Sequence, residues 1–369
     1  HRKNLSQSFE SIITAIETEM SAQTSLPVGA VFGLGRAGRI HFGNIASLRL
    51  ARVKYVIDAD PKAASVAAAA ILGGQTDELP KFLLPEEEDQ AMADPEVTFC
   101  VICSPTMTHE TALRKCINSG KQMFCEKPIA TSLESMKEVY KLAENKGLLL
   151  HCSFNRRYDP SFSLLRDRIP TTCGEVHTIR TCSRDNPYPS IEYLRTSGGI
   201  FHDCGVHDLD MACWLAGEWP STVFATAARH NPQLKDFNDH DTAVIVVKFP
   251  SGAIGIIELD RRSTYGYDQR IEVHGAQGMI ASNNVCDRAV TSSTAAGVNS
   301  ANIQYSFPQR YAEGYVNSMR SFLSRISGSD ENAMIVTPIE SLNVSTLADA
   351  CEKSLETGAP VKFQPINTL

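Results

Sequence analysis

The apolar and polar positions of this chain follow one pattern in its first half. Short apolar runs, which predict strands, alternate with longer amphipathic segments, which predict helices. The predicted strands are 28–32, 53–57, 97–103, 123–125 and 148–154, and the predicted helices are 38–47, 61–71, 108–119 and 131–145. Apolar strands separated by helices are typical of a parallel sheet with right-handed crossovers. The pattern therefore predicts an α/β domain of the Rossmann type over residues 26–151.

The pattern changes after residue 158, where predicted strands follow one another with turns between them. These strands are 176–182, 223–228, 243–249, 253–259, 270–274 and 279–281, with one helix inserted at 205–215. They predict an α+β domain with an open antiparallel sheet over residues 152–337. Residues 290–302, rich in Ser, Thr, Ala and Asn, predict a mobile loop.

Helices are also predicted towards the C-terminus and, as one of two alternatives, in residues 1–25. Two end the chain, at 309–326 and 338–356, and the last segment, 338–369, is expected to pack back on the first domain. Residues 1–25 are expected to form a disordered or helical extension.

Composition narrows the class of protein. The 369 residues suit two domains, with 43% hydrophobic and 21% charged residues and a net charge of -7. Because no block of Lys or Arg occurs, nucleic acid is not an expected partner. No apolar stretch reaches about 18 residues, so no membrane span is expected.

The 11 cysteines are scattered, which favours reduced thiols in the cytoplasm. Cys100 and Cys103 have the spacing of a metal pair, but on a strand they would point to opposite faces.

A glycine-rich turn lies between the first predicted strand and helix. Gly33, Gly35 and Gly38 have the spacing of a dinucleotide fingerprint, in which the helix start faces a pyrophosphate. Asp58 follows the next strand, where a carboxylate accepts hydrogen bonds from a ribose hydroxyl and repels a 2′-phosphate. This arrangement predicts NAD as the cofactor, against the alternative of a purely structural turn.

Three residues later in the sequence, Lys127, Asp203 and His207, indicate the kind of reaction. Lys127 ends a strand of the parallel sheet, before Pro128, and the peptide bond between them is a candidate for the cis form. Asp203 and His207 are four residues apart, which would place them on one face of a helix. A carboxylate beside an imidazole suits proton transfer. A metal site and a structural buried pair are the alternatives for this acidic, histidine-rich turn.

Polar residues also follow several strand ends, and together they would suit a ring that carries many hydroxyl groups. They are Asn155 and Arg156 at the domain junction, Arg184 and Asp185, and Tyr265 and Tyr267.

With these motifs the chain resembles the Gfo/Idh/MocA oxidoreductase family, most closely its inositol 2-dehydrogenase branch. The resemblance covers about residues 27–360. It is carried by the glycine-rich turn, Ser104-Pro105-Thr106 with His109, Glu126-Lys127-Pro128, Asn155-Arg156-Arg157-Tyr158, Ser183-Arg184-Asp185, Ser197-Gly198-Gly199-Ile200-Phe201 with Asp203 and His207, and Tyr265-Gly266-Tyr267-Asp268.

The resemblance implies specific roles. Lys127, Asp203 and His207 would be catalytic, with His207 as the base, Lys127 steadying the alkoxide and Asp203 orienting His207. The implied cofactor contacts are Gly33, Gly35, Arg36, Ala37, Gly38, Asp58, Ser104, Pro105, His109, Glu126 and Lys127. The implied substrate contacts are Asn155, Arg156, Arg184, Asp185, Asp203, His207, Tyr265 and Tyr267.

The expected reaction is oxidation of a ring secondary alcohol of a cyclic polyol by NAD, with myo-inositol as first choice. No metal is expected, and the family resemblance implies a homo-oligomer, a tetramer or a dimer. Another sugar or a dihydrodiol as substrate is one alternative. A non-enzymatic NAD-binding regulator of the same fold is the other.

Overall fold

The computed structural model describes residues 26–74 and 79–369. The predicted extension at 1–25 lies outside these residues. The first part of the chain alternates strands and helices: β1 (Val28–Phe32), α1 (Arg36–Leu48), β2 (Arg52–Ile57), α2 (Pro61–Ile71), β3 (Lys81–Leu83), α3 (Asp89–Ala93), β4 (Val97–Ile102), α4 (Thr106–Asn118), β5 (Gln122–Cys125), α5 (Leu133–Asn145) and β6 (Leu150–Cys152).

The six strands form one sheet in the order β3-β2-β1-β4-β5-β6, and every pairing in it is parallel. This is the Rossmann order, in which the direction of winding reverses between β1 and β4. Strand β1 is buried along its whole length because helices cover both faces of the sheet. The predicted Rossmann domain is confirmed, and β3 is a strand that the apolar pattern did not reveal.

The second part contains α6 (Pro160–Thr172), β7 (Val176–Arg184), α7 (Ile191–Leu194), α8 (Val206–Ala216), β8 (Thr222–Ala228), β9 (Thr242–Lys248), β10 (Ile254–Asp260), β11 (Asp268–Gly275), β12 (Gly278–Ser282), β13 (Thr291–Thr294), β14 (Gly297–Ser300), α9 (Phe307–Arg310), α10 (Ala312–Ser327), α11 (Pro338–Thr357) and β15 (Val361–Lys362). A π-helical turn, Phe201–Gly205, precedes α8 directly.

The second sheet has the order β12-β11-β7-β10-β9-β8-β15. Its β7 and β10 pair in parallel, so the sheet is mixed and the prediction of an antiparallel sheet is wrong for this pair. The long connection through α7 and α8 separates β7 from the β8–β9–β10 meander, which leaves β10 free to lie along β7 in the same direction. The carboxyl ends of β7 and β10 therefore share one edge of the sheet.

Two further elements of this part were not anticipated in the sequence. Helix α6 was not predicted, although Asp159 caps it by accepting hydrogen bonds from the N–H groups of Ser161 and Phe162, and Pro160 begins it. The predicted mobile loop at 290–302 instead holds the hairpin of β13 and β14. The polar composition of that segment reflects exposure of both faces of the hairpin.

The last two long helices join the domains. Helix α10 packs on α1, and α11 contacts α5 and β6 of the first domain as well as α8 and β8 of the second. Helix α11 therefore spans both domains, whereas the sequence analysis expected the last segment to pack on the first domain. No helix in the described part of the chain is long and apolar enough to cross a membrane.

Candidate active site

The glycine-rich turn between β1 and α1 allows a ligand to approach the backbone closely. Gly33 has a φ of +83°, and a Cβ on Gly38 would lie 2.0 Å from the Gly33 carbonyl oxygen, so both positions require glycine. At Gly35 a Cβ would meet no described atom within 4 Å, and no side chain caps the helix. The first N–H groups of α1, at Arg36 and Ala37, are therefore available to a pyrophosphate.

Asp58 stands beside this turn at the end of β2. Its Oδ2 accepts a hydrogen bond from Leu34 N at 2.7 Å, and its Oδ1 accepts one from Asp60 N at 2.8 Å. Each carboxylate oxygen retains a lone pair for a further donor such as a ribose hydroxyl. These residues fit a dinucleotide, with Asp58 also bracing the turn that would hold it.

The opposite wall of the turn is formed by the segment after β4. Ser104 Oγ lies 2.7 Å from Thr108 Oγ1, and Pro105 directly precedes α4. The buried ring of His109 lies 2.8 Å from Ser104 O through Nε2 and 2.8 Å from Pro128 O through Nδ1. Both ring nitrogens therefore face backbone carbonyl oxygens, so His109 ties the two segments together, and its predicted contact with the cofactor stays a prediction.

Glu126 is likewise held by protein groups. Its Oε1 lies 2.7 Å from His41 Nε2 and accepts a hydrogen bond from Ser153 Oγ at 3.0 Å. Burial opposes ionisation of Glu126, but the His41 contact, the Ser153 hydrogen bond and the charge of Lys127 outweigh it and lower the pKa. Glu126 thus anchors the backbone immediately before Lys127.

Lys127 reaches across the domain boundary. Its peptide bond to Pro128 is cis, as predicted. Lys127 Nζ donates hydrogen bonds to Asp203 O at 2.8 Å and to Asp203 Oδ1 at 3.2 Å. The structure therefore brings together the strand-end lysine of the first domain and the acidic turn of the second.

Asp203 and His207 do not form the pair that their spacing suggested. Asp203 lies in the π-helical turn and His207 in α8, and no hydrogen bond joins them in the described part of the chain. Asp203 accepts from Lys127 and Tyr193 through Oδ1 and from Arg261 through Oδ2. The carboxylate of Asp203 instead contacts Lys127, and its predicted role of orienting His207 stays a prediction. Such π-turns are frequent at functional sites because they re-aim side chains.

His207 stands beside both cations of the site. Burial of its ring and the positive charges of Lys127 and Arg156 hold the pKa of His207 well below its usual value. The imidazole is therefore neutral at pH 7 and can accept a proton. Its Nδ1 is buried with no hydrogen-bond partner among the described residues.

Arg156 and three other predicted substrate contacts, Asn155, Asp185 and Tyr267, lie near one another. Arg156 Nη1 donates to Ser183 Oγ and to Asp208 Oδ2, each at 3.0 Å, and Tyr267 and Asp185 lie near it. Burial opposes the charge of Arg156, but nearby groups, among them the carboxylate of Asp208, outweigh it and raise the pKa of Arg156. Burial and the charge of Asp203 raise the pKa of Asp185. The remaining member, Asn155, has a buried Nδ2 without a partner in the described residues, and such a donor suits a ligand hydroxyl.

Arg184 and Tyr265 lie elsewhere. Arg184 alternates with Ser183 along β7 and so points to the opposite face of the sheet. There it pairs with Glu258 and donates to Tyr265 Oη at 2.7 Å, while Tyr265 donates to Asp268 Oδ2 at 2.6 Å. Arg184 and Tyr265 thus lie together on the opposite face of the sheet from Ser183, and their predicted contact with substrate stays a prediction.

Two residues of the site were missed in the sequence. The side chains of Tyr193 and Arg261 both contact Asp203, at 2.7 and 2.9 Å. Arg261 directly follows β10, whose end lies beside the end of β7, so a charged residue after an apolar strand was a usable signal. Tyr193 lies in the short helix α7, which no pattern predicted.

One group of side chains in the described part of the chain has distances suited to a metal ion. It joins His202 of the π-turn to Asp349 and Glu352 of α11, and it includes neither Asp203 nor His207. His202 Nε2 lies 3.2 Å from Asp349 Oδ1. Burial opposes protonation of His202, but the two carboxylates outweigh it and raise the pKa to about 9, so His202 is itself a cation here.

Fold and site together define a two-domain oxidoreductase that uses a dinucleotide. Residues 29–154 match the oxidoreductase family with an NAD-binding Rossmann fold, and residues 171–281 match the GFO/IDH/MocA C-terminal domain. The chain belongs to the GFO/IDH/MocA oxidoreductase family, and its first domain is the NAD-binding domain.

Similar proteins align with most of the chain. The myo-inositol 2-dehydrogenase of Thermotoga maritima is 33% identical, over 91% of this chain and 98% of that protein. The inositol 2-dehydrogenase of Rhizobium meliloti is 36% identical, over 88% and 96%. The crystal structure of a myo-inositol dehydrogenase from Corynebacterium glutamicum superposes with a TM-score of 0.83 at 28% identity, over 93% of this chain and 100% of that chain.

Proposed function

We propose that this protein oxidises one ring secondary alcohol of a cyclic polyol to a ketone with NAD, and that the reaction converts myo-inositol to 2-keto-myo-inositol (scyllo-inosose). The observation that carries the proposal is that Lys127, held by Asp203 at the boundary with the NAD-binding domain, lies near enough to His207 for its charge to help lower the pKa of that imidazole. The inositol 2-dehydrogenases among the relatives support the substrate class.

Each residue has a role that follows from its contacts. His207 accepts the hydroxyl proton because its imidazole is neutral. Lys127 hydrogen-bonds the same oxygen and stabilises the negative charge that develops there, an effect often worth about 3 kcal/mol. Asp203 holds Lys127 through its backbone and its carboxylate. Bound NAD supplies the hydride acceptor.

Ring recognition would use the groups around Arg156. The guanidinium and the free Asn155 Nδ2 offer donors, and Asp185 offers carboxyl oxygens that accept hydrogen bonds. Tyr267, with its ring 6.0 Å from that of Tyr311, closes one side. A polyhydroxylated ring satisfies such alternating donors and acceptors better than an apolar alcohol does.

The test is NADH formation across a panel of myo-inositol, scyllo-inositol, aldoses and a dihydrodiol. We expect the highest kcat/KM with an inositol, and no NADH with any of these when Lys127 is replaced by Met. A higher kcat/KM with an aldose or with the dihydrodiol would refute the proposed substrate. A protein that binds NAD but oxidises none of the panel would favour the regulator alternative.

We also propose that the uncovered face of the second sheet packs against a second copy of this chain. That face carries Val244, Ile254 and Met279, which are 37%, 40% and 51% exposed. They lie among the charged residues Glu258 and Glu272, as in many subunit interfaces. Light scattering would show a dimer or tetramer.

We further propose a cytoplasmic location. All 11 cysteines are free thiols, which supports this proposal.

A further inference from the structure

Arg261 is the largest side chain that is completely buried in the described part of the chain, with 0% exposure. Burying a guanidinium is costly unless its charge and its donors are matched. Every contact that matches Arg261 lies within the site or directly behind it. The cost of burial is therefore met by groups whose position matters for the reaction.

The contacts of Arg261 are directional. Nη1 donates to Asp203 Oδ2 at 2.9 Å and to Cys204 Sγ at 3.6 Å, and Nη2 donates to Asp239 Oδ2 at 3.2 Å. Nε donates to His240 O at 3.2 Å. The guanidinium thus joins the π-turn to the segment that precedes β9.

The second carboxylate of this network fixes the backbone of the turn. Asp239 Oδ1 accepts a hydrogen bond from Ile200 N at 2.9 Å, one residue before the π-turn begins. Arg261 therefore holds the π-turn twice, directly through Asp203 and indirectly through Asp239. The orientation of Asp203 and of its backbone carbonyl, both of which contact Lys127, depends on this arrangement.

The charges around Asp203 also support a role for Arg261 in holding it. Asp203 lies between two cations, with Lys127 on Oδ1 and Arg261 on Oδ2. An opposite charge at such distances typically lowers a carboxyl pKa by about 1 to 3 units. Without Arg261, buried Asp203 would keep a single cationic contact among the described residues, Lys127, and would take up a proton at higher pH.

We propose that Arg261 is a positioning residue that holds the Asp203 carboxylate in place through an ion pair, so that Asp203 keeps Lys127 at the reacting oxygen. Arg261 itself contacts no reacting atom. The kinetic part of this inference rests on the proposed function, whereas the ionisation of Asp203 does not.

The experiment compares the wild type with Arg261→Gln and Arg261→Lys. The control is Arg310→Gln, because Arg310 is another buried arginine in an ion pair, with Nη1 2.6 Å from Asp159 Oδ2. The first measurement is an NMR titration of protein labelled with ¹³C at the aspartate carboxyl carbons, with Asp203 assigned by its loss in Asp203→Asn. The second is the pH profile of kcat and KM for myo-inositol.

In Arg261→Gln we expect the midpoint of Asp203 to rise by about one pH unit or more. We expect kcat to fall roughly 10- to 100-fold, the range for losing a supporting partner of a reactive group, with KM changed much less. Arg261→Lys should restore most of kcat. Arg310→Gln should lower thermal stability and leave the Asp203 midpoint in place.

An Asp203 midpoint that stays in place in Arg261→Gln overturns the inference, whatever the substrate proves to be. A shifted midpoint with wild-type kcat overturns it too, because the role would then be structural. A wild type that oxidises no cyclic polyol refutes the proposed function alone, and the titration still decides the ionic role of Arg261.

Discussion

Replacing His207 by Ala tests the proposed base most directly. Burial and the charges of Lys127 and Arg156 keep the imidazole neutral at pH 7, so it is in its active form without first losing a proton. A positioned general base contributes roughly 10²- to 10⁴-fold to the rate. We therefore expect kcat to fall about 100-fold or more, which corresponds to about 2.7 kcal/mol of lost transition-state stabilisation.

The assay is steady-state NADH formation together with calorimetric binding of NAD. NAD affinity should stay near the wild-type value, because His207 lies in α8 and the glycine-rich turn lies between β1 and α1. His202→Ala is the matched control. It removes an imidazole from the adjacent turn whose partners are Asp349 and Glu352, and kcat should change by no more than about threefold.

The pH profile of the wild-type enzyme is a second test of His207 as the base. Since the pKa of His207 is lowered, wild-type kcat/KM should stay nearly constant as the pH falls from about 7.5 to about 6, below which an ordinary histidine, with a pKa of about 6.5, would be mostly protonated. The assignment of His207 as base would be refuted by His207→Ala with near-wild-type kcat. A wild-type acidic limb centred near pH 6.5 would refute the lowered pKa.

Two further predictions concern the cofactor and acid stability. Asp58→Ser combined with Ala59→Arg should narrow the preference for NAD over NADP, because it removes the charge that repels a 2′-phosphate; a wild type that prefers NADP in steady-state kinetics would contradict this. Burial lowers the pKa of His151 to about 3 from 6.5. The unfolded chain therefore binds the proton more tightly, and the stability that neutral His151 contributes is present above about pH 6.5 and lost as the pH falls toward 3. Urea unfolding should show a loss of about 2.5 kcal/mol between about pH 6.5 and 4.5 that His151→Gln lacks, and an equal loss in that variant would count against the assignment.

The first domain was predictable because its signals are local. The strand–glycine–helix arrangement at Gly33 and Gly38 and the apolar runs of a doubly covered sheet depend on neighbouring residues. Strand β3 was missed because it has only three residues, Lys81–Leu83. The direction of β10 beside β7 could not be read, since strand periodicity carries no information about which strands pair.

The sequence indicated which residues gather at the candidate site better than it indicated which of them contact one another. Lys127, Asp203 and His207 do gather, but the partner of Asp203 is decided by the π-turn, which a regular helical spacing does not anticipate. Arg184 and Asp185 adjoin in sequence and lie on different sides of the sheet, so proximity along the chain was misleading. Arg261 is far from Asp203 in sequence, and only the parallel pairing of β7 with β10 brings its strand end to the site.

The way α10 and α11 join the two domains limits how this protein can be divided. Met319, Phe322 and Leu323 of α10 pack in the same apolar cluster as Val31 and Phe99 of the Rossmann sheet. A fragment cut at the junction near residue 151 would therefore expose part of its own core, although the sequence pattern makes that junction look like a natural boundary. The two domains are better regarded as one cooperative unit, and an exchange of substrate domains between relatives would have to transfer the surface of α1 together with α10.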